Sequence, residues 1–297
     1  MLRDFVTLAE REVSILQESD DHPNVIRYYY QEAHENFLYI ALELCPASLA
    51  DVIENPNQDQ WRDIAVNFDP KKALKQITSG LRHLHGLKLV HRDIKPQNIL
   101  ISANKGNTTS SNTFGSKNGR GGVGYRMLIS DFGLCKKLDV DQTSFLPTAH
   151  GALAAGTVGW RAPEILKGEV KLDEGLAGED RGSMSSRGSV GTVTGSSSSG
   201  GVGSPANNKS QARLTKSVDI FSLGCLFYYT LTNGGHPYGD RFEREVNIIK
   251  DIKDLSGVEP FGEEGTEAKD LITTMLDLDP TRRSVFMLWF RCFSNYV

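Results

Sequence analysis

No lysine precedes Lys71 in this 297-residue chain, and no glycine-rich loop precedes its first predicted helix. Cysteine is scarce too. The 4 cysteines, Cys45, Cys135, Cys225 and Cys292, are scattered without a CxxC pair or a His/Cys cluster, which argues against structural zinc and against a disulfide framework. There is no basic excess: the net charge of −4 leaves no footprint for phosphate-driven nucleic-acid binding, so no nucleic-acid-binding residues are assigned. No apolar run approaches the ~20 residues that cross a bilayer. The opening "MLRDFVTLAERE" is charged and amphipathic, without a signal-peptide core, so the polypeptide as written is expected to be cytoplasmic. No internal repeat is present. What remains is a globular composition, 39% hydrophobic and 24% charged, long enough for one large domain or two lobes.

Apolar periodicity sets out the elements. Phe5, Leu8, Ile15 and Leu16 fall on one helical face, with Glu12 on the same stripe. "NVIRYYYQEAHENFLYIALEL" reads as two strands joined by a polar turn, the second nearly continuously apolar. Residues 71–86 carry Leu74, Ile77, Leu81 and Leu84 at helical spacing, and "SVDIFSLGCLFYYTLT" is apolar enough for a helix buried on most sides. Two Gly/Ser/Asn-rich segments, near 103–124 and 171–212, have the composition of flexible inserts.

Between the apolar pairs of "LVHRDIKPQNIL", residues 89–100, crowd a histidine, an arginine, an aspartate, a lysine and an asparagine. Burying an unpaired charge costs several kcal/mol, so such crowding needs a reason. "HRDIKPQN" fits H-R-D-x-x-x-x-N; "SDFGL" follows at 130–134 and "RAPE" at 161–164. In this order they form the later part of the protein-kinase motif set. The chemistry accounts for the residue types. Phosphoryl transfer needs positioning and charge neutralisation more than covalent help. Asp93 is expected to orient the attacking hydroxyl and accept its proton, and Lys95 to set a cation against the transferring group. Asn98 and Asp131 supply the oxygen ligands that Mg²⁺ prefers. The flanking apolar residues are read as strands that clamp the loop.

"SDDHPNVIRYY", "FLYIALELC", "HRDIKPQNILI", "SDFGLCKKLD", "GTVGWRAPEIL" and "LTNGGHPYGDRFEREVNI" together resemble the kinase domain of the fungal inositol-requiring transmembrane kinase/endoribonucleases of the unfolded-protein response. The likeness runs to about Arg283, apart from the two inserts. It implies an α+β, two-lobed protein-kinase-like fold with an incomplete N-lobe over 1–45 and a mainly helical C-lobe over 46–283. It implies ATP and Mg²⁺ as cofactors and protein Ser/Thr groups as substrates, with autophosphorylation in a homodimer. By motif position, Leu42 would be the gatekeeper, Glu43 and Cys45 would offer backbone groups to adenine, Asp51 would approach the ribose, and Leu100 would form the floor. Lys95 with Thr157 is the serine/threonine-kinase pattern. The resemblance makes Asp219 a holder of the catalytic-loop backbone, and Glu164 with Arg283 a buried ion pair. It makes Arg92 a dock for a phosphorylated activation segment, with Thr143, Ser144 and Thr148 as candidate acceptors; a merely solvated hydroxyl-rich loop is the other reading.

The departures shape the functional expectation. A complete kinase carries an upstream lysine that pairs with the phosphates and with a glutamate on the next helix. Glu12 holds that glutamate's position, and its partner is absent, so Glu12 is expected to face the cleft unpaired with a raised pKa. After Arg283 the tail "SVFMLWFRCFSNYV" (284–297) departs from the family pattern, with Phe286, Trp289, Phe290 and Phe293. The chain is therefore expected to be truncated at both ends, lacking the membrane span that would place this domain on the cytosolic side of the endoplasmic reticulum. Two functions follow: a serine/threonine kinase domain acting on itself, or a catalytically impaired module working through dimerisation or scaffolding.

Overall fold

The computed structural model describes residues 2–34, 37–104, 124–138, 144–145, 155–167 and 214–283. In chain order they form α1 (Leu2–Ser19), β1 (Tyr28–His34), β2 (Phe37–Leu42), β3 (Ala47–Ser48), α2 (Leu49–Glu54), α3 (Asp59–Val66), α4 (Pro70–Gly86), β4 (Leu89–Val90), β5 (Ile99–Asn104), β6 (Gly124–Ile129), β7 (Lys136–Lys137), β8 (Ser144–Phe145), α5 (Pro163–Leu166), β9 (Leu214–Thr215), α6 (Ser217–Leu231), α7 (Arg244–Lys250) and α8 (Glu263–Met275). The architecture is α+β, with few strands near the N-terminus and a mainly helical C-terminal half.

Two helices form the centre. Asp69 caps α4 by accepting the Lys72 amide at 3.1 Å, and Pro70 in the first turn has the fixed φ a helix start needs. Leu74, Ile77, Leu81 and Leu84 then bury one face completely, each worth about 1.5–3 kcal/mol relative to exposure. Helix α6 is apolar all round and is buried from Val218 to Thr230, so it runs through the core rather than over it. Ile15 and Leu16 of α1 and the following Val25 and Ile26 bury in the same apolar cluster; the side chains of Phe5 and Leu8 lie outside the described residues.

The strands serve mainly to place loops. β3, β5 and β6 form an antiparallel sheet with Ser48 opposite Leu100 and Leu100 opposite Leu128. β4 and β7 pair Val90 with Lys136 and clamp what lies between them. The chain before β1 joins β6 in parallel: the Ile26 amide donates to the Ile129 carbonyl at 2.9 Å, and the Ile129 amide to the Asn24 carbonyl at 3.0 Å. β1 and β2 form a separate antiparallel pair. Although β2 reads as apolar, Phe37 and Tyr39 are exposed, because the strand period of two turns alternate residues away from the core; in β1 the successive Tyr29 and Tyr30 are both exposed.

The first insert is shorter than its composition suggests. β5 runs to Asn104 and β6 begins at Gly124, so Ala103, Asn104 and Gly124 belong to the paired hairpin. The second insert, 171–212, and the tail 284–297 lie outside the described residues. Among the described residues no helix is long and apolar enough to cross a membrane.

Candidate active site

The loop after β4 is fixed from below by α6. Asp219, fully buried in the first turn of α6, accepts the His91 amide at 2.9 Å, the Arg92 amide at 2.7 Å and His85 Nε2 at 2.8 Å. Arg92 has φ 69°, a left-handed backbone costing about 1–2 kcal/mol for a residue with a Cβ. That turn aims two successive amides at one carboxylate. Burial alone would push the Asp219 carboxyl up, but the His85 ring, His91 and the Arg92 amide hold it below the usual range. His91 completes the frame. Its Nε2 donates to the Ser130 carbonyl at 3.0 Å and its Nδ1 accepts the Asp93 amide at 3.3 Å, the pattern of a neutral ring, in keeping with a pKa lowered by burial.

Above this frame four donors converge on Asp93. Oδ2 accepts from Lys95 Nζ at 2.7 Å and Asn98 Nδ2 at 3.0 Å; Oδ1 accepts from the Thr157 amide at 2.9 Å and hydroxyl at 2.7 Å. Lys95 Nζ also reaches Thr157 Oγ1 at 2.7 Å. Burial pushes the Asp93 carboxyl up, yet the bonds from Lys95 and Thr157 outweigh it and keep the group ionised below the ordinary range. Asn98 spends its amide hydrogens on the Asp93 carbonyl at 2.9 Å and on Oδ2, and its own carbonyl accepts both the amide and the hydroxyl of Ser130, each at 3.0 Å.

Asp131 follows Ser130 with φ 66°, a conformation aspartate tolerates better than most residues. Its carboxylate faces water, touched only by a 3.4 Å bond from the Gly133 amide among the described residues. Asn98 Oδ1 likewise has no hydrogen-bond donor among them. Two uncommitted oxygens on adjoining segments fit a hard divalent cation, so the chemistry of the site suits Mg²⁺. Glu12 stands on the same side. A methyl on Gly133 would sit 3.5 Å from Asp131 Oδ1 and 3.8 Å from Glu12 Oε2. No hydrogen bond or ion pair from a described residue reaches the Glu12 carboxylate, and burial first, then Asp131, pushes its pKa up.

The remaining predicted residues fall into separate groups. Leu42 ends β2 and is exposed, and Glu43 and Cys45 lie on the linker into β3. Leu100 is half-buried in the three-stranded sheet. Asp51 has a use beyond the ribose contact that the resemblance implies: with Ser48 it forms a capping box on α2, its Oδ2 accepting the Ser48 amide at 2.8 Å and hydroxyl at 2.7 Å. Arg92 Nε donates to the Leu134 carbonyl. Ser144 pairs with Thr215 across β8 and β9, whereas Thr143 and Thr148 lie outside the described residues. Glu164 and Arg283 form a bidentate pair, both contacts 2.8 Å, with Arg283 also donating to the Asp277 carbonyl at 2.7 Å and the Ser217 carbonyl at 3.1 Å. His85, His91 and Ser130 were missed as frame residues. His91 sat inside the motif without a role, while His85 had no signal beyond its place at the end of a helix.

The fold and this loop define a class. The protein kinase domain family matches residues 4–175, more than half the chain, and the chain belongs to that family, whose members are ATP-dependent protein kinases, typically with Mg²⁺. Among curated proteins it is similar to the serine/threonine-protein kinase/endoribonuclease ireA of Aspergillus fumigatus, 46% identical over 286 residues, covering 95% of this chain and 22% of that protein. It is also similar to the sensor for unfolded proteins in the ER ire1 of Schizosaccharomyces pombe, 39% identical over 283 residues and covering 95% of this chain and 23% of the relative. The serine/threonine-protein kinase/endoribonuclease IRE2 of Homo sapiens is 38% identical over 283 residues, with 95% and 24% covered. The chain thus spans between a fifth and a quarter of the length of these relatives.

Proposed function

We propose that this chain is the phosphoryl-transfer part of an unfolded-protein-response kinase, moving the ATP γ-phosphate to Ser and Thr hydroxyls of proteins, itself included. The observation that carries the reading is the meeting of Lys95 Nζ and the Thr157 hydroxyl on Asp93, each at 2.7 Å, beside Asn98 and a water-facing Asp131. In this reading Asp93, ionised at neutral pH, orients the acceptor hydroxyl and takes its proton. Lys95 neutralises charge beside it, and Thr157 fixes the angle between the two. Asn98 and Asp131 would hold Mg²⁺, which when bound neutralises phosphate charge. Glu43 and Cys45 would meet adenine with backbone groups, Leu42 and Leu100 would bound it, and Asp51 would reach the ribose with Oδ1, since Oδ2 is spent on Ser48. Arg92 would receive an activation segment phosphorylated at Thr143, Ser144 or Thr148 from a second copy of the chain. In a full-length protein the domain would lie on the cytosolic face of the endoplasmic reticulum; the Schizosaccharomyces pombe relative is named a sensor for unfolded proteins in the ER.

One observation favours a second reading, a catalytically impaired dimerisation or scaffold module: the Glu12 carboxylate has no cation among the described residues. Intact mass after incubation with ATP and Mg²⁺, beside an Asp131→Asn control, separates the two. Added phosphate in the parent alone supports the kinase reading; no added mass in either, with dimerisation retained, supports the module.

A further inference from the structure

The chain passes from β2 to β3 through Glu43–Pro46, the stretch whose backbone the proposed function turns toward adenine. The Glu43 side chain leaves it on the side of the β5–β6 hairpin. Its Oε1 accepts the Ser102 hydroxyl, and Arg126 Nη2 lies 2.8 Å from Oε1 and 3.0 Å from Oε2. Ser102 and Arg126 are register partners on neighbouring strands, so their side chains rise from one face of the hairpin toward the same carboxylate. The Glu43 amide donates to the Arg27 carbonyl at 2.9 Å, so this one residue is held both by its backbone and by its side chain.

An ion pair between two freely solvated side chains would fix little. Here Ser102 is buried at 5% exposure in the sheet, and the Glu43 side chain keeps only 14%. Cys45 feels the same cluster: burial pushes its thiol up to about 11, Glu43 adds to the rise, and Arg126 opposes it. Recognition of a purine edge by peptide groups depends on the angle of those groups, because hydrogen bonds weaken steeply when bent. We propose that Ser102 and Arg126 are positioning residues for this linker, holding Glu43 and through it the Leu44 and Cys45 peptide groups at the angle a purine requires. The proposal rests on the reading of Glu43 and Cys45 as the adenine edge.

The test compares amide hydrogen exchange of segment 42–46 in the full chain and in Arg126→Met, Arg126→Lys and Ser102→Ala, together with the Kd of a fluorescent ADP analogue. Arg126→Met is expected to speed exchange of the Glu43 amide, which is held by the Arg27 carbonyl, by about tenfold and to weaken nucleotide binding in proportion. Arg126→Lys, which keeps the cation, should recover most of both, and Ser102→Ala should give a smaller change of the same sign. A merely structural role would lower the melting temperature without local exchange or lysine rescue. Unchanged exchange in both Arg126→Met and Ser102→Ala overturns the proposal. Faster exchange in variants of a chain that binds no nucleotide keeps the clasp on the linker and overturns the adenine reading beneath it.

Discussion

Glu12 brings a carboxylate into a half-buried position on α1, beside Asp131 and without a described partner. Its pKa is raised from the ordinary 4.5, by burial and then by Asp131. A carboxyl whose folded pKa is raised favours the folded state most when protonated. That advantage is present below 4.5 and is lost as pH climbs through the raised folded value. Glu12→Gln should therefore match the parent near pH 4 and become more stable than it as pH rises through the raised value. Urea midpoints measured across this range without divalent cations check it, and a constant difference at all pH values would contradict the proton linkage. The residue was legible in the sequence because the apolar stripe of α1 put an acid where none was needed for packing. Asp51 shows the opposite. Ser48 and Asp51 stand three apart in front of an apolar run, the sequence signature of a helix start, and that local signal was overlooked in favour of family position.

At the scale of elements, contact between α4 and the loop before β1 sets where α1 can sit. Gly80 lies so close to this loop that an added Cβ would stand 2.5 Å from the Asn24 carbonyl oxygen. In a free helix Gly→Ala would gain about 1 kcal/mol. Here the backbone oxygen cannot step aside, since Asn24 is tied to β6 through Ile129 and through its own Nδ2 to the Met127 carbonyl at 3.0 Å. Gly80→Ala should lose about 1–3 kcal/mol, read by urea unfolding; a gain would mean the loop yields. Helix α4, the hairpin strands and α6 were all legible from periodicity. The parallel join between Val25 and Ile129 was not, because it links residues 104 apart in sequence through backbone groups that no side-chain pattern marks.

Over the whole molecule, Arg283 gathers three distant parts of the chain. It pairs with Glu164 at the start of α5, donates to Ser217 at the start of α6 and to Asp277 after α8, and lies over the Phe221 ring at 5.2 Å. Removing one partner of a buried pair strands the other, at about 3–5 kcal/mol. The two losses should differ. Glu164→Leu leaves Arg283 its carbonyl acceptors, whereas Arg283→Met orphans a carboxylate and the carbonyls of Ser217, Asp277 and Leu278, so the second should be the worse. The double substitution should cost less than the sum of the singles; equal or additive losses in a urea-unfolding cycle would count against the pair. The motifs announced the kinase family and the residues around Asp93 together, because phosphoryl transfer needs those groups in a fixed order along one loop. Arg126 and Ser102 were invisible by comparison. Their role depends on a register between two strands that are separated by the first insert, and on a linker that meets them only once the sheet has formed.

The β5–β6 hairpin is paired from Ile99 with Ile129 out to Asn104 with Gly124. Once a stem of that length is closed, the entropy of what joins its ends rises only logarithmically, by about 0.6 kcal/mol per doubling. The connection at this point could therefore be lengthened or shortened with little penalty to the folded chain. Selection would read the two strands and leave the distance between them to chance.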